Sequence, residues 1–281
     1  MGKNRFANTK EEIAAFFDED SKDYVKYKYM SERRTYMSVR HENMLDIVDS
    51  IILEKKPSNF LTLDAGCGPG LLMCDLAERG IPVAGVDRSV NMLKTAKDNN
   101  KKAGSHFFPN IAMSDIESLP FKDNTFDLIC SAGVIEYLKN DKKALCEFHR
   151  ILTPGGFLLI SVTNKYSYNL VFDNFLEFLK KNGFVTKILS FIKSDILKLG
   201  KIKRRHFTIR KHSPLKFKKE LKSMNFHLVH TRFFFFNFLP HPLNLLTFSI
   251  ENIVKKKIGV PQFLARLFLG EGYMVLTIKK Y

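Results

Sequence analysis

The chain has 281 residues, of which 45% are hydrophobic, and a formal net charge of +16 at pH 7. This length suits one elaborated α/β domain better than two independent domains. The four cysteines lack the spacing of metal ligands, which argues against a zinc site or a disulfide framework and favours a reduced, cytoplasmic protein. The polar first 20 residues do not have the pattern of a signal peptide.

The first segment, residues 1–57, is predicted to be an N-terminal helical cap. It contains a helix around Thr9–Phe17, a tyrosine-rich stretch, and a second helix near Ser38–Glu54. Leu45, Val48 and Ile52 form an apolar stripe on that second helix, which we expect to pack against a sheet.

Strands and helices then alternate through residues 58–163. Strands are predicted near 60–64, 82–86, 110–114, 126–131 and 156–163, and helices near 70–79, 89–99 and 140–151. This alternation predicts a doubly wound, Rossmann-like parallel sheet with helices on both faces. Right-handed crossovers bring the carboxyl ends of its strands, and therefore a ligand, to one edge.

Residues 164–281 are predicted to complete the sheet and to add helical insertions to the same domain. We expect inserted helices over 164–205, a helix at Ser213–Met224, a strand at Phe226–Phe236, two helices within 243–269 and a closing strand at Gly272–Lys280. The uncharged run from Phe233 to Ile250 has 18 residues, but two prolines interrupt it. A strand, a loop and a helix are therefore favoured there over a membrane span.

A glycine-rich loop follows the first predicted strand. Asp64 ends that strand, and Gly66, Gly68 and Gly70 come before the next helix. Glycines allow a sharp turn and a close ligand, and the N–H groups of the helix start face the same place. Asp87 ends the second strand about 20 residues later, the usual spacing for a carboxylate that binds ribose hydroxyls. The alternative is a tight turn without a ligand.

Four stretches in order resemble the motifs of class I S-adenosylmethionine-dependent methyltransferases. They are 64–70, of the type D-x-G-C-G-x-G, and then 86–93, 114–121 and 152–160. The pattern is most similar to the group that includes quinone, porphyrin and small-metabolite methyltransferases. The resemblance implies S-adenosyl-L-methionine as cofactor and a seven-stranded sheet that is mostly parallel with an antiparallel last strand.

The resemblance also implies roles for particular residues. Asp64 would fix the glycine loop or reach the cofactor's ammonium, Asp87 would bind the ribose, and Asp115 would meet the adenine amino group. The full set of implied cofactor-binding residues is Arg40, Asp64, Gly66, Cys67, Gly68, Gly70, Asp87, Arg88, Met92, Asp115, Ile116 and Ser131. No metal is expected.

Methyl transfer from a sulfonium needs mainly orientation and a dry site, with a base where the acceptor is a hydroxyl. The candidate catalytic residues are Glu136 and Tyr137, just after the fourth strand, and His206 in the basic insertion. Residues 130–133 lack the Asn/Asp-Pro-Pro-aromatic run typical of enzymes that methylate base amines. A small or lipid-like acceptor methylated at oxygen is therefore favoured.

The segment from 180 to 222 has fifteen Lys and Arg against two acidic residues. Such a field attracts phosphates, nucleic acid or an anionic membrane surface. Two alternatives therefore stay open beside the small-acceptor enzyme: an RNA or protein methyltransferase, and a non-catalytic module that only binds the cofactor. The protein is expected in the cytoplasm, with peripheral membrane contact as a second option, and the sequence does not indicate its oligomeric state.

Overall fold

The computed structural model describes residues 9–29, 35–55, 60–102, 110–167, 209–236 and 270–280. Its helices are α1 Lys10–Lys28, α2 Tyr36–Lys55, α3 Leu71–Glu78, α4 Val90–Lys102, α5 Lys142–Ile151 and α6 Pro214–Ser223, with a short 3₁₀ helix at Ile135–Tyr137. Its strands are β1 Thr62–Ala65, β2 Val83–Asp87, β3 Asn110–Met113, β4 Phe126–Ala132, β5 Leu152–Thr163, β6 Phe226–Phe236 and β7 Gly270–Lys279.

The seven strands form one sheet in the order β3-β2-β1-β4-β5-β7-β6. The first five strands are parallel, and β7 runs antiparallel to both of its neighbours. This confirms the predicted doubly wound sheet with an antiparallel last strand. Because β1 lies beside both β2 and β4, the chain reverses its winding direction at β1, and the crevice there is where such sheets bind ligands.

Side chains alternate between the two faces of the sheet and pack into two apolar clusters. Along β4, Ile129 belongs to the cluster covered by α5 and α6, whereas Cys130 belongs to the one covered by α2 and α3. Helices therefore lie on both faces, as the alternating pattern predicts.

Helix α1 begins at a capping box. The Thr9 hydroxyl accepts a hydrogen bond from the Glu12 N–H at 3.2 Å, and the Glu12 carboxylate accepts one from the Thr9 N–H at 2.9 Å. The helix continues to Lys28, eleven residues beyond the predicted end at Phe17. None of the helices in the described residues is long and apolar enough to cross a membrane.

The predicted helices within 164–205 and 243–269 fall almost wholly outside the described residues, as does most of the basic segment 180–222. The division into an N-terminal cap, a core and a C-terminal completion stays a prediction.

Candidate active site

The glycine loop joins β1 to α3 in a left-handed backbone. The φ angles of Gly66, Gly68 and Gly70 are 84°, 52° and 73°. A Cβ on Gly66 would overlap Val134, and one on Gly70 would come within 2.8 Å of Ala96, so these two glycines permit close packing. A Cβ on Gly68 would meet no atom within 4 Å. The space above Gly68 is therefore open to a ligand.

Asp87 connects this loop to the end of β2. One carboxylate oxygen accepts a hydrogen bond from the Gly68 N–H at 2.9 Å, and the other accepts one from the Ser89 N–H at 2.8 Å. Burial raises the pKa of Asp87, and the backbone hydrogen bonds from Ser89 and Gly68 oppose that shift. Each oxygen keeps a further lone pair with which it can accept a hydrogen bond from a ligand hydroxyl.

Two opposite charges are buried beside the loop. Asp64, at 2% exposed, has its pKa raised to about 7 by burial and by the nearby Asp87 carboxylate, against the effect of Arg40. Arg40 is 4% exposed, and its guanidinium lies 5.9 Å from the centre of the Tyr36 ring. Burial alone would lower the pKa of Arg40. The electrostatic effect of the nearby tyrosines and of Glu136 is larger, so the pKa of Arg40 is raised.

Neither Asp64 nor Arg40 forms an ion pair with any residue that the structure describes. Burial makes the Asp64 charge costly, and the Arg40 cation is buried close by, so this arrangement is suited to a ligand that brings its own charges. A cation next to Asp64 and an anion next to Arg40 would satisfy both. The ammonium and carboxylate of an amino acid fit that requirement.

One continuous cavity contains these groups. Its wall includes Asp64, Gly66, Cys67, Gly68 and Asp87 from the strand ends and loops, together with Arg40 and His41 of α2. The opposite wall is a single face of α1. That face consists of Lys10, Ile13, Ala14, Phe17 and Tyr24. Their spacing of three, four or seven residues places them on one side of a helix.

The two ends of the cavity differ in chemistry. One end is lined by Arg88, Met92, Asp115 and Ile116, of which Met92 and Ile116 are buried. The other end is apolar and aromatic. There the rings of Phe17 and Tyr137 meet edge to face, with centroids 5.4 Å apart.

Four residues expected at the site do not line the cavity or lie outside the described residues. Gly70 packs against Ala96 and is absent from the cavity wall. The buried Glu136 carboxylate accepts hydrogen bonds from the Thr163 N–H at 2.9 Å and the Thr163 hydroxyl at 3.0 Å, and it does not line the cavity. Ser131 is fully buried within β4 and is also absent from the cavity wall. His206 falls in a part of the chain that the structure does not describe.

Sequence reasoning missed the contribution of α1 and of His41. The His41 Nε2 atom lies 2.5 Å from the Asp75 carboxylate, which ties α2 to α3. The only signal in the sequence is the spacing of Lys10, Ala14 and Phe17 on one helical face, and that pattern does not say what the face covers.

Comparison with known proteins identifies related chains. Residues 63–160 match a family model described as "Methyltransferase domain". The chain is 31% identical over 145 residues to a malonyl-[acyl-carrier protein] O-methyltransferase of Buchnera aphidicola, covering 50% of this chain and 56% of that one. It is 33% identical to an uncharacterised protein of Methanocaldococcus jannaschii, covering 60% of this chain and 69% of that one.

Among solved structures, the magnesium protoporphyrin IX methyltransferase of Synechocystis with bound S-adenosylhomocysteine superposes with a TM-score of 0.61. The match covers 95% of this chain and 98% of that one at 16% identity, and at that identity the likeness shows the fold. The chain spans 35 to 56% of the length of the three malonyl-[acyl-carrier protein] O-methyltransferases that it first matches.

Proposed function

The chain belongs to the class I S-adenosylmethionine-dependent methyltransferases, and we propose that it methylates a small or lipid-like acceptor at an oxygen atom. The observation that carries this proposal is the apolar, aromatic end of the cavity. Phe17 and Tyr137 form it, and it is continuous with the glycine loop. A mostly apolar pocket with few polar groups is typical of sites for small molecules.

The described residues fit the cofactor. We propose that Arg40 binds its carboxylate, Asp64 its ammonium and Asp87 its ribose hydroxyls, above the open space at Gly68. Both assignments are supported by the burial of Arg40 and Asp64, neither of which forms an ion pair with a described residue. When bound, S-adenosylmethionine supplies a methyl group already activated for in-line displacement.

The chain then has to orient the acceptor and exclude water. We propose that Phe17 and neighbouring apolar side chains of α1 exclude water from the acceptor end. We assign Tyr137 the role of orienting the acceptor hydroxyl by a hydrogen bond and of relaying its proton to bulk solvent at the mouth of the cavity. The Glu136 carboxylate, held by Thr163, is assigned a supporting role in fixing the 3₁₀ helix.

Two relatives support an acceptor of this kind. One is named for O-methylation of an acyl-carrier-bound malonyl group and the other for a porphyrin. A malonyl group and a protoporphyrin both carry carboxyl groups, whose oxygen atoms can accept a methyl group, and a net positive charge of the chain favours such anionic acceptors. The RNA or protein alternative depends on the basic segment, and its first described cation, Arg210, is paired internally with Asp141. Cytoplasmic location and contact with an anionic membrane stay predictions.

The test is a screen with methyl-labelled S-adenosylmethionine against carboxylic acids, phenols, quinols, lipid extracts and bulk RNA. The proposal predicts label in an organic-soluble ester or ether. Tyr137→Phe should then lower kcat about 100-fold while binding S-adenosylhomocysteine as the wild type does. Tyr166→Phe removes a hydroxyl outside the cavity and serves as the matched control. Label found only in RNA would contradict the proposal.

A further inference from the structure

The 3₁₀ helix that carries Tyr137 is bound by Arg210, a residue far along the chain. The Arg210 N–H donates a hydrogen bond to the Glu136 carbonyl oxygen at 2.9 Å, and its Nη2 atom donates one to the Ile135 carbonyl oxygen at 3.2 Å. Arg210 therefore contacts the two residues that precede Tyr137 in this helix. Tyr137 lines the acceptor end of the cavity, whereas Arg210 does not. Arg210 thus acts on the acceptor end from outside the cavity wall.

The buried carboxylate of Asp141 fixes the Arg210 side chain. Asp141 is 3% exposed and directly precedes α5, and one of its oxygens forms an ion pair with the Arg210 guanidinium. Its other oxygen lies 3.0 Å from the Nε2 atom of His212, which is buried as well. A carboxylate removed from water needs such partners, because burying an unpaired charge is costly. Asp141 therefore joins the start of α5 to residues 210 and 212.

The segment that contains Arg210 and His212 is also attached to the end of β5. The His212 N–H donates to the Thr163 carbonyl oxygen at 2.9 Å, and the Lys165 N–H donates to the His212 carbonyl oxygen at 3.0 Å. Thr163 in turn donates its N–H and its hydroxyl to the Glu136 carboxylate. The 3₁₀ helix is therefore held through the Glu136 side chain by β5 and through its backbone by Arg210.

The 3₁₀ helix depends on these outside contacts because it has little stability of its own. It is three residues long, and its backbone bonds are those from the Tyr137 N–H to the Val134 carbonyl oxygen and from the Leu138 N–H to the Ile135 carbonyl oxygen, both at 3.1 Å. Such short 3₁₀ turns have poorer hydrogen-bond geometry than an α-helix. The place of the Tyr137 side chain is thus sensitive to the loss of a neighbouring contact.

We propose that Arg210 and Asp141 are positioning residues that hold Tyr137 at the acceptor end of the cavity. Loss of either one leaves the other charge without its partner and weakens the hold on the 3₁₀ helix. Asp64 and Asp87 end other strands, so the cofactor contacts proposed for them do not depend on this pair. This inference rests on the role proposed above for Tyr137.

The first test reads the surroundings of residue 137 and needs no acceptor. The chain contains no tryptophan, so Tyr137→Trp introduces a single indole whose emission wavelength and quenching by acrylamide report its exposure to water. Adding Arg210→Ala or Asp141→Ala should shift the emission to longer wavelength and increase the quenching.

Arg150→Ala is the matched control for this measurement. Arg150 lies at the other end of α5, and its side chain is 31% exposed, against 26% for Arg210. Like Arg210, it pairs with a carboxylate and donates to backbone carbonyl oxygens, here those of Leu119 and Phe121. Its removal should leave the emission of the indole unchanged.

The second test is a double-mutant cycle in kcat with the acceptor that the labelling screen identifies. Arg210→Ala should lower kcat about 10- to 100-fold, because a small displacement of a group that orients the acceptor is costly. Its Kd for S-adenosylhomocysteine should stay that of the wild type. In the Tyr137→Phe background, Arg210→Ala should cost no further activity, because both changes act through the same hydroxyl. Arg210→Lys keeps a cation for Asp141 and should recover part of the loss.

Two results would overturn the proposal: unchanged indole emission in both variants, or a loss of kcat in Arg210→Ala that multiplies with that of Tyr137→Phe. Arg210→Lys and Asp141→Asn replace the alanine variants if circular dichroism shows that those do not fold. A wild-type kcat in Tyr137→Phe would instead overturn the role proposed for Tyr137. The indole emission would still decide whether Arg210 and Asp141 hold residue 137 in place, which separates the two failures.

Discussion

The guanidinium of Arg40 occupies the space that a side chain on Gly133 would need. A Cβ built on Gly133 would overlap the Nη1 atom of Arg40, and Gly133 has a φ of 67°. Residue 133 directly follows β4, so the backbone at the end of that strand and the buried cation of α2 fit together only with glycine. The position of Arg40 in the cavity is thus set by a residue more than 90 positions away in sequence.

Gly133→Ala should displace Arg40 and weaken S-adenosylhomocysteine binding about tenfold or more. Its left-handed backbone should also cost about 1 kcal/mol of folding free energy. Gly80→Ala is the control, because Gly80 has a φ of 72° and a Cβ added to it would meet no atom within 4 Å. Both variants should show similar losses in urea unfolding, but only Gly133→Ala should lose affinity in calorimetry. Equal affinity in the two variants would contradict the placement of Arg40.

Asp64→Asn should make the ligand-free protein more stable at pH 8, by about 1–3 kcal/mol. The folded-state pKa of Asp64 is about 7, above its ordinary value of 3.8, so the buried charge costs stability above pH 7. That cost is relieved as the pH falls from 7 towards 4. The stability gain of the variant should therefore shrink between pH 8 and pH 5, as followed by urea unfolding at each pH. If the stability gain of Asp64→Asn instead grew as the pH fell, burial of the Asp64 charge would not be its cause.

Binding of S-adenosylhomocysteine should weaken as the pH falls below about 7, by up to tenfold per pH unit. Asp64 must be ionised to pair with the ligand's ammonium, and it takes up a proton in this range. Calorimetry from pH 5.5 to 8 on the wild type and on Asp64→Asn measures this effect. The variant should bind more weakly throughout and with a flatter pH profile. If affinity depended on pH in the same way in the wild type and in Asp64→Asn, Asp64 would not be the partner of the ligand's ammonium.

Asp87→Ala should reduce S-adenosylhomocysteine affinity at least about 100-fold, because it removes ligand contacts and also the acceptor of the Gly68 N–H. Asp87→Asn keeps one carbonyl oxygen and should lose less. Asp49→Ala, which removes the surface partner of Arg79, should bind as the wild type does. Circular dichroism checks that the variants are folded. Unchanged affinity in Asp87→Ala would make the ribose assignment wrong.

The order of elements and the glycine loop were predictable because each is encoded locally. Alternating apolar runs specify strands such as β6, predicted and observed at Phe226–Phe236. The left-handed turns at Gly66 and Gly68 favour glycine, which adopts a positive φ at no steric cost. Such signals depend on a few neighbouring residues, so a single sequence is enough to find them.

The wall formed by α1 was not predictable from local pattern. The polar run after Phe17 reads as the end of a helix, because Asp and Ser commonly lie at helix ends. In the structure Asp18 is held within α1 by its contacts with Ser89 and Asn91, more than 70 residues away. The same is true of Glu136, whose carboxylate is turned away from the cavity by Thr163. Contacts with residues distant in the sequence determine both the length of α1 and the orientation of the Glu136 carboxylate.

The most direct test of the cofactor site is calorimetric titration of the wild type with S-adenosylhomocysteine and with 5′-methylthioadenosine. The second ligand keeps the nucleoside but lacks the ammonium and the carboxylate. Pairing with Asp64 and Arg40 predicts micromolar binding of S-adenosylhomocysteine and binding of methylthioadenosine at least about 100-fold weaker, since two charge-assisted contacts are lost. Equal affinity for the two ligands, or no binding of either, would contradict the assignment of the buried charges to the cofactor.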